Sequence, residues 1–361
     1  MAGLSPYRST RRRALAGLIG WAAGPMVPAF ASPTAPAALA QSALITPKSL
    51  GVALLSVTRA GSRLVAVGER GTVLLSDDHG VKWRQAVVPV QVSLTCVAFA
   101  DERSGWAAGH LGVILHSDDG GETWRRQFDG VAAAESLLAA AQRSGDVTAI
   151  ANARRLVDEG ADKPFFDLEF LDARRGFAAG AYGLMFSTKD GGKTWEPLSD
   201  RMANPKGLHL YGVRAIDDRR VVVVGEQGLV LRSDDGGASF SAVPSPYKGS
   251  FFGLLRTPGA TLVAHGLRGA AYRSTDGGLQ WERLESGTSA TLSAGVALPH
   301  GGFVLISQAG EVLLAHRDAA ALRRLPDREQ VPVSGVAAAA DGSLVMASMR
   351  GMRRLAALPV G

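Results

Sequence analysis

Only one cysteine, Cys96, occurs among the 361 residues, so no disulfide can form within the chain. Cys96 lies in an apolar, strand-like run, whereas a catalytic thiol needs exposure and a neighbouring base. We therefore predict a buried, unreactive thiol. The seven histidines are scattered without a His-x-x-x-His spacing, so we predict neither a metal site nor a cofactor.

Long apolar runs are scarce as well, and the one near the N-terminus belongs to a segment of unusual composition. Residues 1–40 combine a basic stretch that includes Arg11–Arg13, an apolar stretch over Ala14–Gly24, and small-x-small triplets at 29–31 and 38–40. This order is typical of an export signal. We predict a signal peptide over residues 1–40 and a periplasmic mature protein.

A membrane anchor is the alternative for this segment, but Pro25 and Pro28 interrupt the run before it reaches the ~18 apolar residues of a span. The stretch TRRRALA also resembles a twin-arginine signal, although Ala14 occupies the position where such signals are hydrophobic. The general secretory route and the twin-arginine route therefore both stay open.

The mature part of the chain has no large excess of basic over acidic residues. The signal segment contains four arginines and no acidic residue, which leaves 35 basic against 33 acidic residues after cleavage. A balance near +2 does not favour a nucleic-acid partner.

Glycine is abundant, with 44 residues, and much of it lies in repeated motifs. The pattern Ser/Thr-x-Asp-x-Gly-x-x-aromatic occurs five times, and we call each copy an Asp box. Because one catalytic site does not need five copies, we predict structural turns in which the Asp accepts hydrogen bonds, Gly supplies positive φ and the ring packs between blades. The conserved box positions are Ser76, Asp78, Gly80, Trp83, Ser117, Asp119, Gly121, Trp124, Thr188, Asp190, Gly192, Trp195, Ser233, Asp235, Gly237, Phe240, Ser274, Asp276, Gly278 and Trp281.

A second motif, Gly-x-x-Gly or Ser-x-x-Gly, precedes each box by a few residues and sets the period. Its last glycines are spaced 41, 71, 45, 41, 41 and 41 residues apart. The chain therefore contains seven repeat units, and the last two lack an Asp box. Each unit contains four short apolar runs bounded by turn residues, which is typical of antiparallel propeller blades. The predicted fold is all-β: a seven-bladed β-propeller over residues 42–361.

Two segments fall outside this period. The stretch 129–164 is rich in Ala, Leu and Glu and predicts a short helical hairpin insertion, with Asp146 capping the second helix and Gly160 ending it. Leu137, Leu138, Ile150 and Leu156 are expected to face the propeller. The stretch Ser42–Pro47 predicts a strand that completes blade seven, because that blade ends before its outer strand.

These boxes and turns, in phrases such as GWAAGHLGVILHSDDGGETW, resemble the bacterial-neuraminidase-repeat propellers and, more narrowly, the photosystem II stability and assembly factor family. The resemblance implies a non-catalytic assembly factor that holds membrane-protein intermediates. Members in bacteria without photosynthesis point to an envelope membrane protein or transporter, for example of the resistance-nodulation-division type. We expect a monomer with a protein partner.

The alternative function is an Asp-box glycoside hydrolase, sialidase-like or xyloglucanase-like. Sialidases resemble six-bladed rings with an Arg-Ile-Pro motif, and this chain has seven units and lacks that tripeptide. Each of its candidate tyrosine nucleophiles also has a structural interpretation; they are Tyr182, Tyr211, Tyr247 and Tyr272. We therefore predict that the protein is not an enzyme.

Connectivity predicts which surface binds a partner. In a four-stranded blade, the turns between the second and third strands lie on the same face as the blade-to-blade connections, including the insertion. Solvated turn residues are the alternative for each side chain taken alone. The predicted partner-binding residues are Arg70, His110, Tyr182, Glu226, Arg268, Arg350, Arg154 and Arg155.

Overall fold

The computed structural model describes residues 36–316, 318–328 and 331–357. Most of the predicted signal segment, with its cleavage triplet at 29–31, lies outside these residues. Seven antiparallel sheets form seven blades; six have four strands in sequence order, and blade seven has three described strands. The predicted seven-bladed propeller is confirmed.

The strands are numbered along the chain, and each blade is built from consecutive strands. Blade one contains β1 (Leu54–Ala60), β2 (Arg63–Gly68), β3 (Val73–Ser76) and β4 (Arg84–Gln85); blade two β5 (Leu94–Phe99), β6 (Gly105–Gly109), β7 (Ile114–Ser117) and β8 (Arg125–Phe128); blade three β9 (Phe165–Phe170), β10 (Gly176–Gly180), β11 (Met185–Thr188) and β12 (Glu196–Pro197); blade four β13 (Leu210–Ala215), β14 (Val221–Gly225), β15 (Val230–Ser233) and β16 (Ser241–Ala242); blade five β17 (Phe251–Arg256), β18 (Leu262–Gly266), β19 (Ala271–Ser274) and β20 (Glu282–Arg283); blade six β21 (Leu292–Ala297), β22 (Phe303–Ser307), β23 (Glu311–Ala315) and β24 (Arg323–Arg328); blade seven β25 (Val333–Ala338), β26 (Leu344–Ser348) and β27 (Gly351–Leu355).

The core consists of apolar layers between neighbouring blades. Every residue of β14 is buried, because a blade packs on a neighbour at both faces, and this explains its uninterrupted valines. One such layer joins Val65 of blade one with Val97 and Leu115 of blade two. A ring of seven blades therefore buries its apolar surface as seven separate interfaces.

The innermost strand of each blade contains a β-bulge at its second residue, where the register with the middle strand shifts by one. A bulge leaves one residue outside the ladder and redirects its side chain. Here all seven bulged residues line the central cavity. They are Leu55, Thr95, Phe166, Tyr211, Phe252, Ser293 and Ser334.

The prediction that Ser42–Pro47 forms the fourth strand of blade seven is wrong. The segment is not a strand; the Ala43 N–H donates to the Val88 carbonyl oxygen at 2.9 Å, so the segment runs along the outer side of blade one. Ala43 packs there in the core layer between blades one and two. Its neighbours Leu44 and Ile45 are 72% and 64% exposed, so they supply no apolar face that could cover blade seven.

The insertion forms the predicted pair of helices, α1 (Gly130–Ser144) and α2 (Val147–Glu159). Asp146 caps α2 by accepting hydrogen bonds from two backbone N–H groups at 2.8 and 3.1 Å, and Gly160 follows its last residue with φ 83°.

The hairpin contacts the propeller mainly through alanines. Ala133 and Ala134 are buried, whereas Leu138, Ile150 and Leu156 are only half-buried. The start of α1 lies directly on the turn of blade two, since a Cβ on Gly112 would lie 2.7 Å from the Cα of Gly130. Two glycines allow this close approach. Of the residues predicted to face the propeller, Leu137 packs against the layer that contains Phe165, whereas the fully buried residues of α1 are all glycine or alanine.

Candidate partner-binding face

The propeller has two faces that differ in their turns. The Gly-x-x-Gly turns lie beside the blade connections, because the Glu69 N–H donates to the Ala53 carbonyl oxygen at 3.0 Å and the His110 N–H to that of Ser93 at 3.0 Å; we call this side the turn face. The Asp boxes lie beside the loops that follow the inner strands, with the Gly120 N–H donating to the Arg103 carbonyl oxygen at 3.0 Å; we call this side the box face.

All five Asp boxes share three hydrogen bonds: from the Ser or Thr hydroxyl to the Asp, from the Gly N–H to that hydroxyl, and from the N–H four residues after the Asp to its carboxylate. In the second box the Ser117 hydroxyl donates to Asp119 at 2.7 Å and accepts from the Gly121 N–H at 2.8 Å. Asp119 also accepts from the Thr123 N–H at 3.0 Å and from its hydroxyl at 2.5 Å. The Trp124 indole N–H donates to the Gly121 carbonyl oxygen at 2.9 Å, and its ring is buried in the layer between blades one and two. The box carboxylate therefore forms its hydrogen bonds within its own turn.

These bonds also affect the acidity of the box carboxylates. The Ser239 and Ser233 hydroxyls and the Ser239 N–H lower the pKa of Asp235 to about 2, because each bond favours the charged form. The box aspartates are thus stable anions at neutral pH. Since their oxygens bind turn donors, the geometry is that of a turn and not of an acid–base pair.

The predicted partner-binding residues lie on the turn face, but the structure does not bring them into a single cluster. Arg70, His110, Tyr182, Arg268 and Arg350 are exposed on the turns of five different blades. Arg70, Tyr182 and Arg268 have φ between 53° and 57°, a left-handed conformation that is uncommon for non-glycine residues.

Glu226 differs from the other predicted residues because its carboxylate has a partner within the fold. It accepts a hydrogen bond from the His209 N–H at 2.9 Å, and the His209 ring nitrogen Nδ1 accepts from the Tyr182 N–H at 2.7 Å. Glu226 thus helps to fix the turn of blade three. Arg154 and Arg155 are exposed on α2, where Arg155 lies 3.6 Å from Glu159.

The two faces also differ in how their arginines are paired. On the box face, Arg63 contacts Asp77 at 2.6 Å and Arg125 contacts Asp118 at 2.8 Å. On the turn face, Arg70, Arg268 and Arg350 form no ion pair with any part of the chain that the structure describes. Guanidinium groups bind carboxylates well when geometry allows, so the turn face has cationic groups that an acidic partner can reach.

A cavity of about 770 Å³ lies on the ring axis and is lined by the inner strands. On the side of blades three and four it contains a charged group that our sequence analysis did not identify. Arg214 contacts Asp167 at 2.6 Å and Glu169 at 3.8 Å. Asp167 also accepts from the Val213 N–H at 2.9 Å and Glu169 from the Ala215 N–H at 3.2 Å.

Burial raises the pKa of both Asp167 and Glu169 above their ordinary values, while the charge of Arg214 acts in the opposite direction. Burial disfavours the charged form of each carboxylate, and the neighbouring charge of Asp167 also raises the pKa of Glu169.

Aromatic residues line the same side of the cavity and were also missed. The ring centroids of Phe166 and Tyr211 lie 5.1 Å apart, and those of Tyr211 and Phe252 lie 5.2 Å apart. The rings continue to the turn face through His209, whose ring is 4.7 Å from that of Tyr182. Aligning the seven repeats would have identified these positions, because only blades three to five have an aromatic residue at the bulge.

Other predictions concerned residues away from this surface. Cys96 is a buried free thiol, as predicted, and burial raises its pKa. Among the described residues, no group of three or more His, Cys, Asp or Glu side chains could hold a metal ion. None of the helices in the described ranges is both long and apolar enough for a membrane span.

The chain is similar to curated photosystem II assembly proteins over part of its length. It is 25% identical over 151 residues to the photosystem II assembly lipoprotein Ycf48 of Synechococcus sp. (strain CC9902), covering 40% of this chain and 44% of that protein. It is 33% identical over 66 residues to the photosystem II stability/assembly factor HCF136 of Arabidopsis thaliana, covering 18% of this chain and 16% of that protein. The matched part thus spans less than half the length of either relative.

Solved structures show a likeness over most of the propeller. A structure described as YCF48 bound to D1 peptide has a TM-score of 0.63 at 16% identity and covers 88% of this chain and 96% of that one. The structure of YCF48 from Cyanidioschyzon merolae has a TM-score of 0.59 at 13% identity, covering 87% and 97%. At these identities the likeness establishes the fold alone.

A family model gives the assignment. The model described as photosynthesis system II assembly factor YCF48 matches residues 41–140 and 147–330, which is most of the chain. The unmatched stretch between them falls at the loop that joins α1 and α2. The repeats, the seven blades and this match agree, and the chain belongs to the photosystem II assembly factor family of Asp-box propellers.

Proposed function

We propose that this protein is a non-catalytic scaffold of the exported compartment that holds a membrane-protein client during assembly, and that the client binds the turn face. Family membership supports the assembly role, and one family structure contains a bound peptide of D1. The observation that supports the turn face is the exposure of Arg70, Arg268 and Arg350 without an acidic partner among the described residues. An envelope membrane protein or transporter with acidic exported segments is the client that fits this charge.

The hydrolase alternative requires an activated tyrosine. Burial raises the pKa of Tyr211 and of Tyr247, whereas a nucleophile needs a pKa that is lowered or an adjacent base. The Tyr247 hydroxyl donates to the Leu267 carbonyl oxygen at 2.7 Å, Tyr272 is buried, and Tyr182 is on the exposed turn of blade three. We expect no turnover of fluorogenic sialosides or β-glucan oligosaccharides, and turnover would contradict the proposal.

The client-binding face is tested by charge reversal. Arg70→Glu, Arg268→Glu and Arg350→Glu are combined in one variant, and the tagged mature protein is incubated with detergent-solubilised membranes of the cells that produce it. We expect the wild type to retain one reproducible membrane protein, identified by mass spectrometry, and the variant to lose it.

The matched control reverses three exposed lysines of the box face, Lys82→Glu, Lys189→Glu and Lys193→Glu, so that the net charge changes equally. The control variant should retain the client. Equal loss in both variants would indicate a general charge effect, and absence of any membrane protein from the wild-type sample would contradict the assembly role. Export is tested separately by N-terminal sequencing of the periplasmic form, which should begin just after one of the two small-x-small triplets, near residue 32 or residue 41.

A further inference from the structure

The residue at the bulge divides six of the seven blades into two kinds, while blade one has Leu55 there. In blades two, six and seven the bulged residue has a hydroxyl that donates to a main-chain carbonyl oxygen of the next blade, at 2.5 to 2.7 Å. In blades three, four and five the residue is aromatic, and neither a phenylalanine nor the distant phenol of a tyrosine makes this bond. The hydroxyl residues are Thr95, Ser293 and Ser334, and the aromatic residues are Phe166, Tyr211 and Phe252.

In blades three, four and five, an aromatic side chain at the cavity wall thus replaces the hydroxyl that would bond to the next blade. All three aromatic residues are only half-buried, so the rings are not needed to fill the core. The Tyr211 hydroxyl forms no hydrogen bond with the described residues. Three adjacent aromatic side chains at an open cavity are therefore better explained by the binding of a ligand than by a contribution to the stability of the propeller.

The rings of Phe166, Tyr211 and Phe252 lie side by side along the cavity wall. Adjacent planes are inclined by 30° and 77°, so Tyr211 and Phe252 meet edge to face. A ring face that is open to the cavity attracts a cation, because it has a negative electrostatic potential. We call these three rings the aromatic wall.

The charges beside the aromatic wall have the complementary sign. Asp167 and Glu169 share the guanidinium of Arg214, and when both acids are ionised their two charges exceed its one. A cation beside them favours these ionised forms. The other arginines that line the cavity, Arg59 and Arg256, lie toward the box face, where they donate to the Gly61 and Ile216 carbonyl oxygens at 3.0 Å each. The charge of Arg256 lowers the pKa of Glu169, so that carboxylate lies near Arg256, whereas Asp167 directly follows Phe166 near the start of β9. A cation that enters from the turn face therefore meets the rings and Asp167 first.

The rings also connect the cavity to the outside of the protein. From the aromatic wall, His209 leads to Tyr182, which is 64% exposed on the turn of blade three, with Lys163 located 5.3 Å from the centre of its ring. A continuous aromatic surface thus extends from the cavity to the base of the helical hairpin. Its length suits an extended peptide segment better than a small molecule.

We propose that the turn-face mouth of the cavity binds an extended segment of a protein partner and takes up one lysine or arginine side chain of that segment between the aromatic wall and the Asp167–Glu169 pair. Apolar residues next to this basic residue would lie on the path from Tyr211 to Tyr182. The inference rests on the proposed function, since it names the part of the client that enters the turn face.

The probe for this site is a displayed library of random twelve-residue peptides, selected on the immobilised mature protein. We expect enrichment of sequences in which Lys or Arg is adjacent to an aromatic or aliphatic residue. A selected peptide should bind Tyr211→Ser about tenfold more weakly than the wild type, because one cation–π contact is lost. Serine occupies the same bulge position in blades six and seven, so we expect this variant to fold, and its melting temperature is measured in parallel.

Two further variants keep the test decisive. Tyr182→Asn changes an exposed residue whose positive φ asparagine tolerates, and it should weaken binding of the selected peptide without affecting the fold. Ser293→Thr, at the bulge of blade six, retains a hydroxyl and should bind the peptide as the wild type does. Enrichment only of peptides that lack Lys and Arg, no enrichment at all, or equal binding by Tyr211→Ser would overturn the proposal.

The outcome can be separated from that of the proposed function. If Tyr211→Ser retains the membrane client as the wild type does, the cavity is not the binding site, although the assembly role stands. If no membrane protein is retained but basic, aromatic peptides are selected, the cavity is a peptide site and the assembly role fails.

Discussion

The Ser334 hydroxyl in blade seven donates a hydrogen bond of 2.5 Å to the main-chain carbonyl oxygen of Leu54 in blade one. Leu54 also packs with Ala337 and Val345 of blade seven in the apolar layer between these two blades. No described strand crosses this junction. The Gly351 N–H of blade seven also donates to the Val52 carbonyl oxygen, ahead of β1, at 3.0 Å. The ring is therefore closed by side-chain contacts and a main-chain hydrogen bond between its first and last blades rather than by a shared sheet.

Loss of this hydroxyl should weaken ring closure. We expect Ser334→Ala to lower the free energy of unfolding by about 1 kcal/mol, the usual value of one hydrogen bond, measured by urea denaturation. Ser334→Thr should be close to the wild type, since Thr95 makes the same bond between blades two and three. An unchanged stability of the alanine variant would mean that this hydrogen bond contributes nothing to ring closure.

The Asp boxes provide a comparison of two adjacent residues of one type. Asp119→Ala removes an acceptor for three donors and should lower the free energy of unfolding by about 1–2 kcal/mol. Asp118→Ala removes only an exposed ion pair with Arg125 and should change it by less than about 0.5 kcal/mol. Both variants should retain the client; selective loss of binding by Asp119→Ala at unchanged stability would make the box a binding site.

The period of the sequence was sufficient to predict the blade number, because each repeated turn needs glycine at fixed positions. Gly71 has φ 72°, and a Cβ there would lie 2.0 Å from the Val90 carbonyl oxygen. The residue types of Ser42–Pro47 could not show which blade the segment would contact, because that depends on which apolar layer accommodates Ala43. The pairing of Asp167 with Arg214 joins two blades through positions 47 apart, and no local pattern marks it.

Arg268 occupies a turn position with positive φ that Leu111 and Gln227 share in other blades, so the conformation belongs to the turn and not to the arginine side chain. Arg268 has φ 57°, and a left-handed conformation costs a non-glycine residue roughly 1–2 kcal/mol, less for asparagine. We expect Arg268→Asn to leave the melting temperature unchanged or higher and to weaken retention of the client. A variant that is both more stable and fully active in binding would show that Arg268 has no role there.

Stability should fall in mild acid because two histidines are buried in the neutral state. Burial lowers the pKa of His116 and of His265 to about 4, whereas an unfolded histidine has a pKa near 6.5. Below that value the unfolded chain binds protons that the folded chain excludes, so the stability present above pH ~6.5 is lost as the pH falls toward about 4. By linkage, each histidine should account for about 2–3 kcal/mol between pH 7 and 4.5.

This dependence is measured by urea denaturation at both pH values. His116→Gln stays neutral throughout and should reduce the loss of stability, whatever its effect at pH 7. His110→Gln is the control, because His110 is exposed on the turn of blade two and should leave the loss unchanged. An equal pH dependence in the wild type and in His116→Gln would show that this ring is protonated without unfolding.

The helical hairpin is tested by replacing residues 131–162 with a short Gly/Ser linker. We expect a folded propeller, because the strands of blades two and three pair without the helices, and a lower melting temperature, because Ala133 and Leu137 no longer cover the layer that contains Phe165. Retention of the client should be impaired, since the hairpin stands beside Tyr182 and presents Arg154 and Arg155. Unchanged retention would show that the hairpin is dispensable for binding, and an unfolded product would show that blades two and three depend on it.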